Sequence, residues 1–183
     1  GTGKIIYFDK KNIFTNKLNQ MNVPNNIEEI LIQNKFELMG IRDLFIEDDK
    51  VYISLYYKSL TGYSMNIYFA DLNFIKLNFN LFFKSNESWK RWTTRTGGRI
   101  EKYNNNEILL SLGDGATKNA SQDSNSLLGK IISIDKTTRK HKIVSLGHRN
   151  PQGLLYIENL NLIINTEHGP KGGDEININF LDL

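Results

Sequence analysis

Short runs of β-branched and aromatic residues, each closed by an Asn, Asp or Gly turn, set the limits on what this chain can fold into. Residues 51–57 and 65–69 are such runs, separated by Thr61-Gly62, and residues 74–82 alternate apolar and polar with period two. Residues 108–112, 130–134, 142–146, 154–157 and 162–165 continue the pattern. Residues 26–39 carry Ile27, Ile30, Leu31 and Leu38 at loosely helical spacing. They read as a short helix or as a pair of short strands, and the strand reading is preferred. The chain is therefore all-β.

Three hairpins repeat within it, at 43–54, 98–111 and 152–165, each around an acidic or Asn-rich turn. Their spacing of roughly 55 residues lies in the range of propeller blades. Each is followed by further strands, and four antiparallel strands per period is the composition of a blade. The expected fold is a β-propeller of four-stranded antiparallel blades, of which about three are present. It forms one partial domain over 1–183, with units at about 1–40 (partial), 41–96, 97–150 and 151–183 (partial). Propellers close with about 4–8 blades, and an open array leaves apolar faces and strand edges in water. The remaining blades are expected from a longer chain, or failing that from a partner chain.

Composition narrows the function classes. Lys and Arg number 23 against 20 Asp and Glu, a net charge of +3 with no basic run, so no nucleic-acid partner is expected. No apolar stretch approaches the roughly 20 residues of a membrane-spanning helix. Gly1-Thr2-Gly3-Lys4 lacks a charged leader followed by an apolar segment, so no signal peptide is visible. The absence of Cys removes disulfides and thiolate chemistry, and three histidines, at 141, 148 and 168, are too few for a His-rich metal centre.

Two loops combine Gly or Pro with fixed charges and amides that serve no strand: residues 147–153 (Gly-His-Arg-Asn-Pro-Gln-Gly) and 167–177 (Glu-His-Gly-Pro-Lys-Gly-Gly-Asp-Glu-Ile-Asn). The Arg149-Asn150 pair suits a planar anionic ligand, with guanidinium fork and amide supplying directional hydrogen bonds. A Gly169-Pro170 turn can aim backbone carbonyls at a hard cation such as Ca²⁺. Each motif alone also reads as an ordinary turn, and His148 or His168 alone as a structural residue. Their position at the start and end of one hairpin favours a shared site.

These two loops, with Gly97-Gly98-Arg99-Ile100, Leu112-Gly113-Asp114 and Leu128-Gly129-Lys130-Ile131 before them, resemble the glucose/sorbosone dehydrogenase family. Leu38-Met39-Gly40-Ile41 resembles an earlier Leu-Leu-Gly segment of that family, so the likeness runs from about residue 35 to 179. These are soluble aldose dehydrogenases dependent on pyrroloquinoline quinone (PQQ), with a six-bladed propeller. The resemblance implies PQQ at the central mouth and a Ca²⁺ acting as Lewis acid. A His takes the anomeric hydroxyl proton while the C1 hydride passes to the quinone. It assigns Arg149, Asn150 and Gln152 to PQQ, the carbonyls of Gly169 and Pro170 to Ca²⁺, and Asp114 to orienting the base. Arg99 and Lys171 would add positive potential for the cofactor's carboxylates. A periplasmic or secreted location is implied as well.

The chain departs from the family pattern at the base. The family's His-x-Gly-Gly-Arg reads Arg95-Thr96-Gly97-Gly98-Arg99 here, and Arg is too basic to accept a proton near neutrality. The Gln before the Leu-Leu-Gly segment falls near Lys35, with Gln33 a substitute after a small shift, and the family's later basic residues lie beyond Leu183. Two expectations follow. One is a segment or divergent member of a PQQ-dependent sugar dehydrogenase, with a small-molecule sugar as substrate. The other is a non-catalytic ligand-binding propeller keeping the scaffold and the Ca²⁺ loop, with Arg95 recognising an anionic saccharide. A Ca²⁺-dependent lactonase is disfavoured, because the carboxylate and Asn ring it needs is not apparent.

Overall fold

A computed structural model describes residues 4–7 and 19–180. Residues 1–3 of the N-terminal tetrapeptide, and part of the unit expected over 1–40, lie outside the described residues. Strands β1 (Lys4–Tyr7) and β2 (Asn19–Asn22) pair antiparallel. Helix α1 (Ile27–Asn34) follows. Three antiparallel sheets come next, each in simple sequence order. The first holds β3 (Glu37–Glu47), β4 (Lys50–Ser59), β5 (Gly62–Asp71) and β6 (Asn80–Lys84). The second holds β7 (Gly97–Lys102), β8 (Glu107–Leu112), β9 (Lys130–Asp135) and β10 (His141–Leu146). The third holds β11 (Pro151–Ile157), β12 (Leu162–Glu167) and β13 (Glu175–Phe180).

The leading strands β3, β7 and β11 lie side by side, while the later strands of each sheet fan outward. This radial stacking makes the chain part of a β-propeller. Its cores form between sheets. Tyr52, Tyr56, Met65 and Ile67 of the first sheet meet Ile108, Leu110, Ile132 and Ile134 of the second. Leu109 and Ile131 of the second meet Ile163 of the third. Burying one such side chain contributes about 1.5–3 kcal/mol, so the stacked faces hold the sheets in register.

Two expectations need correction. Residues 27–34 are helical, not a pair of strands. Asn25 Oδ1 accepts the Ile27 N–H at 3.2 Å, Glu28 and Glu29 sit in the first turn beside the positive end of the helix, and Lys35 closes it in a left-handed conformation. Ile27, Ile30 and Leu31 then cover Val51, Ile53, Leu55 and Tyr57 on the outer face of the first sheet. Both faces of β4 are thereby covered, which is why its apolar residues run continuously rather than alternating. Within 74–82, only the part from Asn80 onward is strand. Leu77 N–H instead bonds the Pro24 carbonyl (2.9 Å) and Phe79 N–H bonds Asn26 Oδ1 (2.7 Å), drawing this stretch to the helix start.

Antiparallel order places the β3–β4, β7–β8 and β11–β12 turns at one end of the array. The connections 85–96, 113–129, 147–150 and 168–174 lie at the other. Each inner strand is bulged: β3 at Leu38/Gly40 and Ile41/Asp43, β7 at Gly97/Ile100, β11 at Pro151/Gly153. Bulges re-aim side chains beside functional sites, and these prepare the end where the four connections gather.

Candidate functional site

Asp43 begins the site by tying the inner strands together. Its Oδ2 accepts the Ile100 N–H (2.8 Å) and its Oδ1 accepts Arg99 Nη1 (3.1 Å). Arg99 Nε donates to the Gln152 carbonyl (2.5 Å). One guanidinium thus links β3, β7 and β11, and it borders a cavity of about 370 Å³ lined by Asp43, Arg99, Glu101, Gln152 and neighbours.

The 147–150 connection is held from beneath by Glu167, whose side chain is 4% exposed. Glu167 Oε2 accepts the backbone N–H of Arg149 (2.7 Å) and Asn150 (3.2 Å). Its Oε1 contacts His148 Nδ1 (3.0 Å) and accepts Asn177 Nδ2 (2.6 Å). Burial pushes this carboxyl up, but the His148 hydrogen bond and the Arg149 N–H outweigh it, leaving Glu167 below the usual carboxylate range. His148 Nε2 lies 2.9 Å from Ser145 Oγ, giving the connectivity of a Ser–His–acid triad. Ser145 Oγ also lies 2.8 Å from Asn179 Oδ1, which competes with the imidazole for the hydroxyl proton.

Arg95, Asp114, Arg149, Asn150, Gln152 and Gly169 meet above this hub, whereas Lys171 stays on the exposed surface. Asn150 Oδ1 accepts Gln152 Nε2 (2.8 Å) and the Gly97 N–H (3.4 Å), and the Asn150 carbonyl accepts the His168 N–H (3.1 Å). Arg149 Nη1 donates to the carbonyls of His168 (2.5 Å) and Gly169 (2.7 Å). Asp114 N–H donates to the Arg149 carbonyl (2.9 Å), bringing the 113–129 connection alongside. Asp114 Oδ2 accepts Arg95 Nη1 (3.1 Å) and Oδ1 accepts the Ala116 N–H (2.8 Å). Burial pushes the Asp114 carboxyl up; the Ala116 N–H, then Arg95, partly oppose it. The Pro170 carbonyl accepts the Gly173 N–H (2.7 Å), and Lys171 is exposed beside it.

Three features were not singled out from sequence. The carboxylate of Glu167, which in the sequence only opens the second loop, organises both loops. Asp43 anchors Arg99. Lys130, fully buried, donates its ammonium to the carbonyls of Ala120 (2.9 Å), Ser121 (3.0 Å) and Leu128 (2.9 Å), and burial lowers its pKa. Ser121 O also accepts the Gly147 N–H (2.9 Å), so Lys130 fastens one loop to the other. A charged residue opening an apolar strand, Lys130-Ile131-Ile132, was the available signal.

Residues 25–179 match the family model described as Glucose / Sorbosone dehydrogenase. The aldose sugar dehydrogenase YliI of Escherichia coli (strain K12) is 33% identical over 95 residues, which cover 45% of this chain and 26% of that protein. The PQQ-bound aldose sugar dehydrogenase of Streptomyces coelicolor superposes with a TM-score of 0.63 at 22% identity, covering 98% of this chain and 55% of that one. The apo aldose sugar dehydrogenase of E. coli gives 0.61 at 22%, covering 74% and 44%. The chain thus spans about a quarter of the curated relatives and about half of these solved structures. By the family match over most of its length, and by the propeller geometry that carries the two loops, the chain belongs to the glucose/sorbosone dehydrogenase family.

Proposed function

We propose that this chain supplies the cofactor mouth of a PQQ- and Ca²⁺-dependent aldose sugar dehydrogenase, as a segment or divergent member of its family. The observation that carries the reading is the 2.7 Å approach of Arg149 Nη1 to the Gly169 carbonyl, which joins the anion-binding and cation-binding loops in one place. The residues present fit both groups. Arg149 and Lys171 offer positive charge, Arg149 as a planar fork suited to carboxylates, while Arg95 and Arg99 are already paired with Asp114 and Asp43. Gly169 already presents its carbonyl to a cation, and Pro170 lies next to it; carbonyl oxygens are ligands for Ca²⁺. Among the described residues no cluster of three or more His, Asp or Glu competes as a metal site.

When bound, PQQ with Ca²⁺ supplies a polarised quinone able to accept a hydride from a sugar C1. The chain's own residues bind and orient. Arg149 would take a carboxylate, with Asn150 and Gln152 fixing the ligand edge beside it, and Arg99 would add potential from the axis. Gly169 and Pro170 would hold the ion. Asp114 keeps its place against Arg149 through its N–H. The position of the family's base carries Arg95, which stays protonated and accepts nothing from the sugar hydroxyl. An exported location, periplasmic or secreted, belongs to the same reading.

The Arg95–Asp114 ion pair favours a second reading, a non-catalytic propeller that binds an anionic saccharide at the same mouth. The experiment is reconstitution of the full-length protein with PQQ and Ca²⁺, followed by aldose oxidation with an artificial electron acceptor. Turnover supports the dehydrogenase and refutes the argument from Arg95. Cofactor binding without turnover supports the binding propeller, and no cofactor binding defeats the dehydrogenase reading.

A further inference from the structure

Two consecutive carbonyls, those of His168 and Gly169, converge on one cationic nitrogen, Arg149 Nη1, at 2.5 and 2.7 Å. A hard divalent cation takes such oxygens at about 2.3–2.6 Å. The guanidinium nitrogen therefore stands where an ion bound to these carbonyls would stand, and mutual repulsion forbids both together.

The carbonyls belong to the fixed partner. A side chain on Gly169 would collide with the Gly173 carbonyl, so the turn is closed tightly on itself. The Gly169 N–H donates to Asp174 Oδ1 (3.2 Å), the Gly173 N–H to the Pro170 carbonyl (2.7 Å) and the His168 N–H to the Asn150 carbonyl (3.1 Å). The backbone of Arg149 is equally fixed, through Glu167 and Asp114. What remains free to move is the Arg149 side chain, with four rotatable bonds and a charged tip. A cavity of about 260 Å³ lies against the same loop, lined by Gln152, Glu167, His168 and Asp174.

We propose that Arg149 is the resident cation of this site: in the empty protein its guanidinium caps the His168 and Gly169 carbonyls, and a divalent ion binds only by displacing it. The displaced fork is then available to an anionic ligand in the same mouth. An anion that draws Arg149 away likewise uncovers the carbonyls. Each ligand removes the other's competitor, so their binding is positively coupled and the coupling is reciprocal. The inference rests on the calcium reading above and adds His168 O to the ligand set.

The test is Ca²⁺ affinity, measured calorimetrically on the full-length protein without PQQ, for the unsubstituted chain, Arg149→Ala and Arg149→Lys. Charge-assisted hydrogen bonds to the two carbonyls oppose the ion, so Arg149→Ala should bind Ca²⁺ at least about tenfold more tightly. Arg149→Lys, which keeps a cation without the planar fork, should lie between, and it guards against a folding defect in the alanine variant. Equal or weaker binding by Arg149→Ala, with the unsubstituted protein binding Ca²⁺, overturns this inference and leaves the calcium reading standing. Failure of every variant to bind Ca²⁺, with or without PQQ, overturns both. Tighter Ca²⁺ binding by the alanine variant in a protein that ignores PQQ supports the inference and defeats the PQQ reading alone.

Discussion

The Arg95 guanidinium lies 3.1 Å from the Asp114 carboxylate, with their side chains 28% and 15% exposed. A permanent cation thus occupies the edge of the mouth where the family resemblance leads one to expect a proton acceptor, and it is paired with the carboxylate that would orient that acceptor. The consequence for chemistry is specific. Arg95→His in the full-length protein loaded with PQQ and Ca²⁺ is expected to raise aldose turnover at least about 100-fold, the scale of general-base catalysis. Steady-state oxidation with an artificial acceptor measures it, and an unchanged rate would show that proton removal is not what the chain lacks.

Glu167 should govern stability as well as loop geometry. Removing its charge by Glu167→Gln leaves His148 and two backbone donors around a neutral amide, at a cost of about 3–5 kcal/mol. Urea unfolding checks this.

The same residue gives an acid limit. Folded Glu167 ionises below the reference value of 4.5, so the unfolded chain binds its proton more readily. Its contribution is therefore complete above about pH 4.5 and is lost as pH falls through the lower, folded value. Unfolding midpoints of the native protein and Glu167→Gln should converge on acidification; parallel curves across that window would contradict the assignment.

Gly129 joins two connections at close quarters. Its φ is +70°, and a Cβ there would collide with the His148 carbonyl and Ser121. Gly129→Ala is expected to destabilise by roughly 2–3 kcal/mol and to weaken anion binding at Arg149, both measurable in one denaturation and titration series.

Among the described residues, one face of the third sheet presents exposed apolar side chains. Leu155, Ile176, Ile178 and Phe180 are 50, 73, 55 and 59% exposed. A polypeptide of these 183 residues alone should self-associate, and Ile178→Lys with Phe180→Lys should reduce its sedimentation coefficient toward that of a monomer.

Much of this architecture was legible in the sequence, because hairpins are local. The 43–54, 98–111 and 152–165 hairpins declare themselves through their own turns and strand residues, and all three occur in the structure. The two loops were visible for a similar reason, the clustering of Gly, Pro and charge. The expectation that they serve no strand is corrected: residues 151–153, 167 and 175–177 belong to β11, β12 and β13, and only 147–150 and 168–174 are connections. What was hidden depends on distant partners. The local spacing of residues 26–39 left helix and strand both open. The helix over 27–34 is settled by Asn25 and two glutamates at its start together with the cover it gives β4, which lies distant in sequence. The role of Glu167 exists only once residues 148–150 and 177 surround it, and that of Asp43 once β7 lies beside β3.

Arg149 Nη1 and the Gly169 carbonyl meet at 2.7 Å, and the proposed binding of a flat polyanion and a divalent ion depends on that meeting. The decisive measurement is titration of the full-length protein with PQQ, followed by quinone absorbance with and without Ca²⁺. Saturable binding is expected, strengthening with Ca²⁺ and weakening at least about tenfold in Arg149→Ala. Absence of PQQ binding at any Ca²⁺ concentration, or binding indifferent to Arg149, would contradict it.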